Sequence, residues 1–175
     1  MNLLLRLLLV RMRSRKRGRI SLWDTAVTPF RVAPTDLDLL LHMNNGKYLS
    51  ILDVGRMDLM IRSGFWDVLK ERGWYPVVAG QTITYRRSLK LGQSFEVHTR
   101  VLGFDERWGF IEQTFTHGET IYAHAIIRTR FLKKSGGSVD HADLEEAAGG
   151  FPTEQHIPQW VRAWSEANRI PTSTM

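Results

Sequence analysis

The sequence predicts an α+β fold in which an antiparallel sheet wraps around one long helix. Two features predict it. Residues 46–64 run without proline and spread apolar side chains over most of a helical circumference, which suits a helix enclosed by other elements. From residue 77 onward the apolar period changes to two and persists through four segments separated by short polar joints. A strand, then an enclosed helix, then a run of strands is an α+β order.

Taken in order, residues 1–22 form a basic amphipathic segment. Its apolar stretch, residues 3–10, is interrupted by Arg6 and followed by Arg11, Arg13, Arg15, Lys16, Arg17 and Arg19. The stretch is too short for a membrane span, which needs ~20 apolar residues. A secretory leader would carry its positive charge ahead of the apolar run, and here the charge follows it. The expectation is therefore a cytoplasmic protein, with two readings open for the segment. One is a peripheral anchor on the inner face of an anionic membrane, and the other is a terminal helix packed on the body or on a second subunit.

Residues 23–134 read as one unit. An extended segment at 24–32 ends at Pro34, and a helix follows, capped at Asn44 or Asn45 and closed by Gly64. Gly55 costs that helix ~1 kcal/mol relative to alanine, so a closely approaching neighbour is expected there. Asp58 and Arg62 have the i,i+4 spacing of a surface ion pair. A short helix at 66–72 leads to strands at 77–87, 95–102, 108–115 and 121–131. In the second and fourth of these, one face alternates apolar against polar on the other. The joints KLGQ, FDER and HGET are of hairpin length, so successive strands should be neighbours. Residues 135–175 add a loop-like stretch at 135–152 and a terminal helix at 153–170. Trp160 and Trp164 share one face of that helix and should lean on the sheet or a second chain.

Charge and composition exclude several functions. Of the 24 basic residues seven lie in 1–19, where no acidic residue occurs, so the rest holds 17 basic against 18 acidic residues, a net of −1. A duplex-binding domain would spread its cations over a folded face, so no nucleic-acid partner is expected. The absence of cysteine excludes disulfides, thiol nucleophiles and thiolate metal sites. His98, His117, His124, His141 and His156 show no metal-ligand spacing, and no phosphate loop, GxSxG elbow or dinucleotide fingerprint is present. No metal and no cofactor are expected.

The densest polar signal is residues 35–48, TDLDLLLHMNNGKY, placed just ahead of the enclosed helix. Carboxylates there feel the positive end of the helix dipole, and nearby backbone N–H groups are suited to a developing oxyanion. The same residues also suit plain capping, with Asp36 and Asn45 satisfying backbone donors. The pattern Asp36, Asp38, His42, Asn44, Asn45 and Tyr48, with the later stretch ITYRRSLKLGQ at 83–93, resembles the 4-hydroxybenzoyl-CoA thioesterase-like family of hotdog-fold acyl-CoA thioesterases. The resemblance covers about residues 24–134.

The resemblance implies hydrolysis of an acyl-CoA thioester, with Asp38 as nucleophile or general base and His42 as a polar partner of the thioester. Asn44, Asn45 and Tyr48 would shape the substrate site, and the backbone N–H groups of residues 41–43 would form the oxyanion hole. Arg86, Arg87 and Lys90, and further along Arg128, Arg130, Lys133 and Lys134, would meet the phosphates of coenzyme A, unless they form a solvated sheet face. The family also implies a homodimer or homotetramer, since relatives build sites across subunits and long sheet edges need covering. Many relatives carry glycine where this chain has Leu41. A catalytically weak acyl-CoA-binding protein, associated with membranes, is therefore the alternative. A hydratase of acyl thioesters fits less well, because its Asp-to-His element has a different spacing.

Overall fold

The computed structural model describes residues 3–14, 17–154 and 156–169. Its elements are α1 (Leu3–Ser14), β1 (Ala26–Arg31), a 3-10 turn (Pro34–Asp36), α2 (Asn45–Arg62), α3 (Phe65–Glu71), β2 (Trp74–Tyr85), β3 (Ser94–Phe104), β4 (Gly109–His117), β5 (Thr120–Lys133), α4 (His141–Ala147) and α5 (Gln159–Ala167). The five strands form one sheet in the order β1-β3-β4-β5-β2, and every pairing is antiparallel.

The FDER and HGET joints are hairpins, linking β3 to β4 and β4 to β5. The KLGQ joint is not. β2 pairs with β5 and β1 pairs with β3, so β2 and β3 are separated by two strands. The whole run 86–93 makes that crossing. Arg86 and Arg87 donate backbone N–H groups to the Tyr122 carbonyl at 2.8 and 3.1 Å, while Gln93 and Gly92 pair with Val32 at the exit of β1. Hairpin length alone could not reveal that β1 claims one side of β3.

α2 lies on one sheet face, where Tyr48, Ile51 and Leu52 pack with Val97, Phe115, Ala125 and Ile127. Gly55 sits where a Cβ would come within 2.9 Å of Gln113 Nε2 and 3.0 Å of Thr99 Oγ1. Gln113 is fully buried and held there, donating to the Leu52 carbonyl and to Thr99. The mid-helix glycine thus permits the close approach of helix to sheet.

The opposite face is covered too. α5 and the residues before it bury Ile126, Phe110 and Leu102 under Ile157 and Val161, so the polar side of the alternation is only partly solvated. Arg128 is buried beside Trp108 and Trp164 and donates to the Ser165 carbonyl. Arg130 donates to Ser138, and Lys133 meets Asp140 and Asp143. These cations hold the C-terminal segment rather than standing free on a sheet face. Trp164 is half-buried, but Trp160 is 51% exposed, because the buried stripe of α5 runs through Val161 and Ser165. Within the stretch expected to be loop, α4 buries Leu144 against the cluster of Phe65 and Phe131. Gln155 and Ile170, expected in the terminal helix, lie outside the described residues, as do Arg15 and Lys16.

α1 packs along α2, and its Arg6, Val10 and Ser14 are all buried. Asp58 is not a surface residue. It is fully buried, accepting from Ser14 and Thr28 and pairing with Arg17 at 3.1 Å and Arg62 at 3.6 Å. Its i,i+4 partner is one of four residues that hold it, three of them from α1, its connector and β1. Leu5, Leu8 and Met12 form the exposed side of α1. Among the described residues, no helix is long and apolar enough to cross a membrane.

Candidate active site

The segment between β1 and α2 folds back on itself. Leu37 and Met43 face each other in a short antiparallel bridge, and Asp38 N–H donates to the His42 carbonyl at 2.9 Å. Leu41 closes the turn with φ +59°, the only non-glycine residue of positive φ among the described residues. This is a backbone conformation that glycine adopts freely and leucine does not.

The two aspartates of the motif have different environments. Asp36 is sealed at 1% exposure, accepting from Ala33 N–H at 2.8 Å and pairing with Arg6 of α1. Its backbone carbonyl accepts from Asn44 N–H, which sets the start of α2. Asp38 is half-buried, and its carboxylate accepts from Leu40 N–H at 2.9 Å and His42 N–H at 3.3 Å. The capping role expected of Asp36 and Asn45 falls to Asp36 and Asn44. It is Asn44 Oδ1 that accepts from Gly46 N–H at 2.9 Å.

The crossing segment closes the other side. Met43 N–H donates to the Leu89 carbonyl at 2.9 Å, Leu89 N–H reaches Tyr48 Oη at 3.4 Å, and His42 bridges Lys90. Tyr48 stands edge-on to Tyr85 at 5.0 Å between ring centroids and also contacts Phe115. Burial raises the pKa of both tyrosines, and for Tyr48 the Leu89 contact opposes that rise only in part. Both phenols therefore remain neutral donors through the physiological range.

These elements line an open cavity of about 250 Å³ that includes Asp38, His42, Asn45, Tyr48, Tyr85 and the run Arg86, Arg87, Ser88. Of the residues singled out in the sequence, Asp38, His42, Asn45, Tyr48, Arg86 and Arg87 meet there. Asn44 is occupied at the helix cap, and Lys90 lies beside the cavity, joined to His42 through the backbone. Tyr85 was not singled out, although its place next to Arg86 and Arg87 was the available signal.

One expectation is overturned. The N–H groups of residues 41–43 already have acceptors: Leu41 donates to the Asp38 carbonyl, His42 to the Asp38 carboxylate and Met43 to Leu89. They close the loop instead of facing a substrate. Asn45 heads α2 at the cavity wall, where the helix dipole is positive; behind it the N–H groups of Gly46 and Lys47 are taken by Asn44 Oδ1 and the Asn44 carbonyl.

Comparison with known proteins identifies the family and the fold. Residues 32–165 match the thioesterase-like superfamily. The protein THEM6 of Danio rerio is 36% identical over 152 residues, covering 79% of this chain and 71% of that protein. THEM6 of Xenopus laevis is 40% identical over 99 residues, and the match takes in 57% of this chain and about half (48%) of the relative's length. Among solved structures, the probable thioesterase YbaW of Escherichia coli superposes with a TM-score of 0.65 at 23% identity, covering 69% of this chain and 94% of that one. That likeness shows a hotdog fold.

Proposed function

Since the chain belongs to the thioesterase-like superfamily, we propose that it hydrolyses an acyl-CoA thioester to the free acid and coenzyme A. The observation that carries the reading is the position of Asp38, a half-buried carboxylate on a cavity wall that also holds the head of α2 and two exposed arginines.

In this reading Asp38 attacks the thioester carbonyl carbon, or takes a proton from the water that does. The oxyanion forms against the amino end of α2 at Asn45, where the positive end of the helix dipole stabilises it. The C–S bond then breaks, and coenzyme A leaves as a thiolate that takes up a proton. If Asp38 is the nucleophile, water cleaves the resulting anhydride to return the carboxylate. His42 borders the reacting group, Tyr48 and Tyr85 wall the cavity, and Arg86 and Arg87, with Lys90 beside them, meet the phosphates. Asn44 acts indirectly, by fixing where α2 begins.

The catalytic unit is residues 23–134 in this account, with α2 as the central helix of the hotdog and residues 1–22 and 135–175 as additions to it. β2 is a long edge strand, and pairing with a second copy would cover it in a homodimer or homotetramer. The buried side of α1 favours the packing role for the N-terminal segment. The exposed Leu5, Leu8 and Met12, flanked by Arg11 and Arg13, suit peripheral contact with an anionic membrane from the cytoplasmic side.

The test is a thiol-release assay with short, long and aromatic acyl-CoA substrates. Release of stoichiometric thiol and acid from at least one class is expected, and no turnover of any class would defeat the reading. A second reading, acyl-CoA binding with weak or no turnover, is favoured by Leu41 at a glycine-type position and by the occupied N–H groups of 41–43. Binding without thiol release would select it.

A further inference from the structure

A second, larger cavity of about 320 Å³ lies farther along α2, toward the opposite end of β2. The wall is mostly apolar, including Leu7 of α1, Met57 and Met60 of α2, Val78 of β2, Phe104 and Phe131. Into this wall projects Arg56. Its exposure is 6%, and it donates to the fully buried Gln113 Oε1 at 2.8 Å and to Asp53, a half-exposed residue that also lines the cavity. A guanidinium carries more donors than these two contacts use.

The two cavities share the same pair of elements. The first takes Tyr48 from α2 and Tyr85 from β2, and the second takes Arg56 and Val78 from the same helix and strand. From Tyr48 to Arg56 is ~12 Å along the helix, and from Tyr85 to Val78 is ~23 Å along the strand. For its far end to reach Arg56, a chain held at Asp38 by its thioester has to be longer than that helical rise.

We infer that this second cavity receives the distal part of the acyl chain and that Arg56 with Asp53 selects a chain carrying a hydroxyl far from the thioester. The inference rests on the thioester-hydrolase reading and specifies its substrate class. Methylene groups gain ~0.8 kcal/mol each on entering such a wall. A plain hydrocarbon, however, would leave the buried guanidinium facing carbon, which costs free energy. A terminal carboxylate is disfavoured, because Asp53 already supplies the balancing negative charge. A hydroxyl fits both partners, accepting from Arg56 and donating to Asp53.

The experiment compares octanoyl-, dodecanoyl- and hexadecanoyl-CoA with their terminal-hydroxyl counterparts, for the wild type and for Arg56→Met and Arg56→Lys. Dissociation constants are measured by calorimetry on the Asp38→Asn background, and kcat/KM on the native background. At one chain length at least, the hydroxylated chain should be favoured about tenfold or more. Arg56→Met should erase the preference and Arg56→Lys should keep part of it. Should Arg56→Met fail to fold by thermal unfolding, Met57→Trp, which fills the cavity, replaces it. It should lower the ratio of dodecanoyl- to acetyl-CoA affinity about tenfold. Equal treatment of plain and hydroxylated chains at all three lengths by the wild type would overturn the inference. Because the affinities do not need turnover, a protein that shows the preference without releasing thiol sinks the hydrolase reading and leaves the cavity assignment standing.

Discussion

Arg6 of α1 forms a buried ion pair with Asp36, the residue that anchors the turn leading to Asp38. Both side chains are almost fully enclosed, at 4% and 1% exposure. The N-terminal helix is thereby fastened to the loop that presents the candidate catalytic carboxylate. A basic segment that looks separable in sequence is part of the site's support.

Removing one partner of that pair strands the other in the interior. Asp36→Asn should therefore lower stability by about 3–5 kcal/mol in denaturant unfolding. An apolar double replacement, Arg6→Met with Asp36→Leu, should recover much of that loss, because it removes both charges. Equal destabilisation by the single and double variants would contradict the pairing.

Gly55 offers an opposite sign to the usual helix rule. In an exposed helix, glycine to alanine gains ~1 kcal/mol. Here the added methyl meets Gln113, Thr99 and Val97 at 2.9–3.2 Å, and Gln113 is pinned by its own hydrogen bonds. Gly55→Ala should thus destabilise by about 1–3 kcal/mol, measured as a lower urea midpoint at unchanged slope.

Leu41 gives the converse case. Its φ of +59° costs leucine ~1–2 kcal/mol, and its side chain is 71% exposed, so little packing is lost by truncation. Leu41→Gly should leave stability unchanged or raise it by about 1 kcal/mol, offset in part by the greater freedom of glycine in the unfolded chain. A clear loss of stability would show that the leucine side chain has a partner in the assembled protein.

Glu112 carries a pH signature. His124, whose Nε2 lies 2.9 Å from its carboxylate, and Arg100 lower its pKa from 4.5 to about 2. A depressed carboxyl pKa stabilises the fold above the unfolded value and loses that contribution as pH falls through the folded one. Relative to Glu112→Gln, the wild type should be more stable by about 1 kcal/mol at pH 7. The gap should close between pH 4.5 and about 2.

Local pattern was the legible part of this fold. Apolar alternation located β3 and β5, and the uninterrupted run at 46–64 located α2, because these signals depend only on neighbours in sequence. Pairing followed for β3 with β4 and β4 with β5 but not for β2 with β3, since KLGQ has a hairpin's length while β1 takes the position beside β3. Asp58 misled for a similar reason: its helical spacing to Arg62 was visible, but Ser14, Arg17 and Thr28 arrive from distant segments. At the site, motif residues on either side of α2's start and on the crossing segment do converge around one cavity. The expected oxyanion donors at 41–43 failed because the turn at Leu41 uses them internally, which only backbone geometry reveals.

The central claim is that Asp38, not its neighbour Asp36, supplies the chemistry. Its most direct test is kcat/KM for Asp38→Asn on the acyl-CoA that the wild type hydrolyses fastest, with unfolding and substrate affinity measured on the same samples. The expected result is a fall in kcat/KM of about 10²- to 10⁴-fold, with an unchanged unfolding midpoint and retained binding. An Asp38→Asn protein that releases thiol at the wild-type rate would contradict the account.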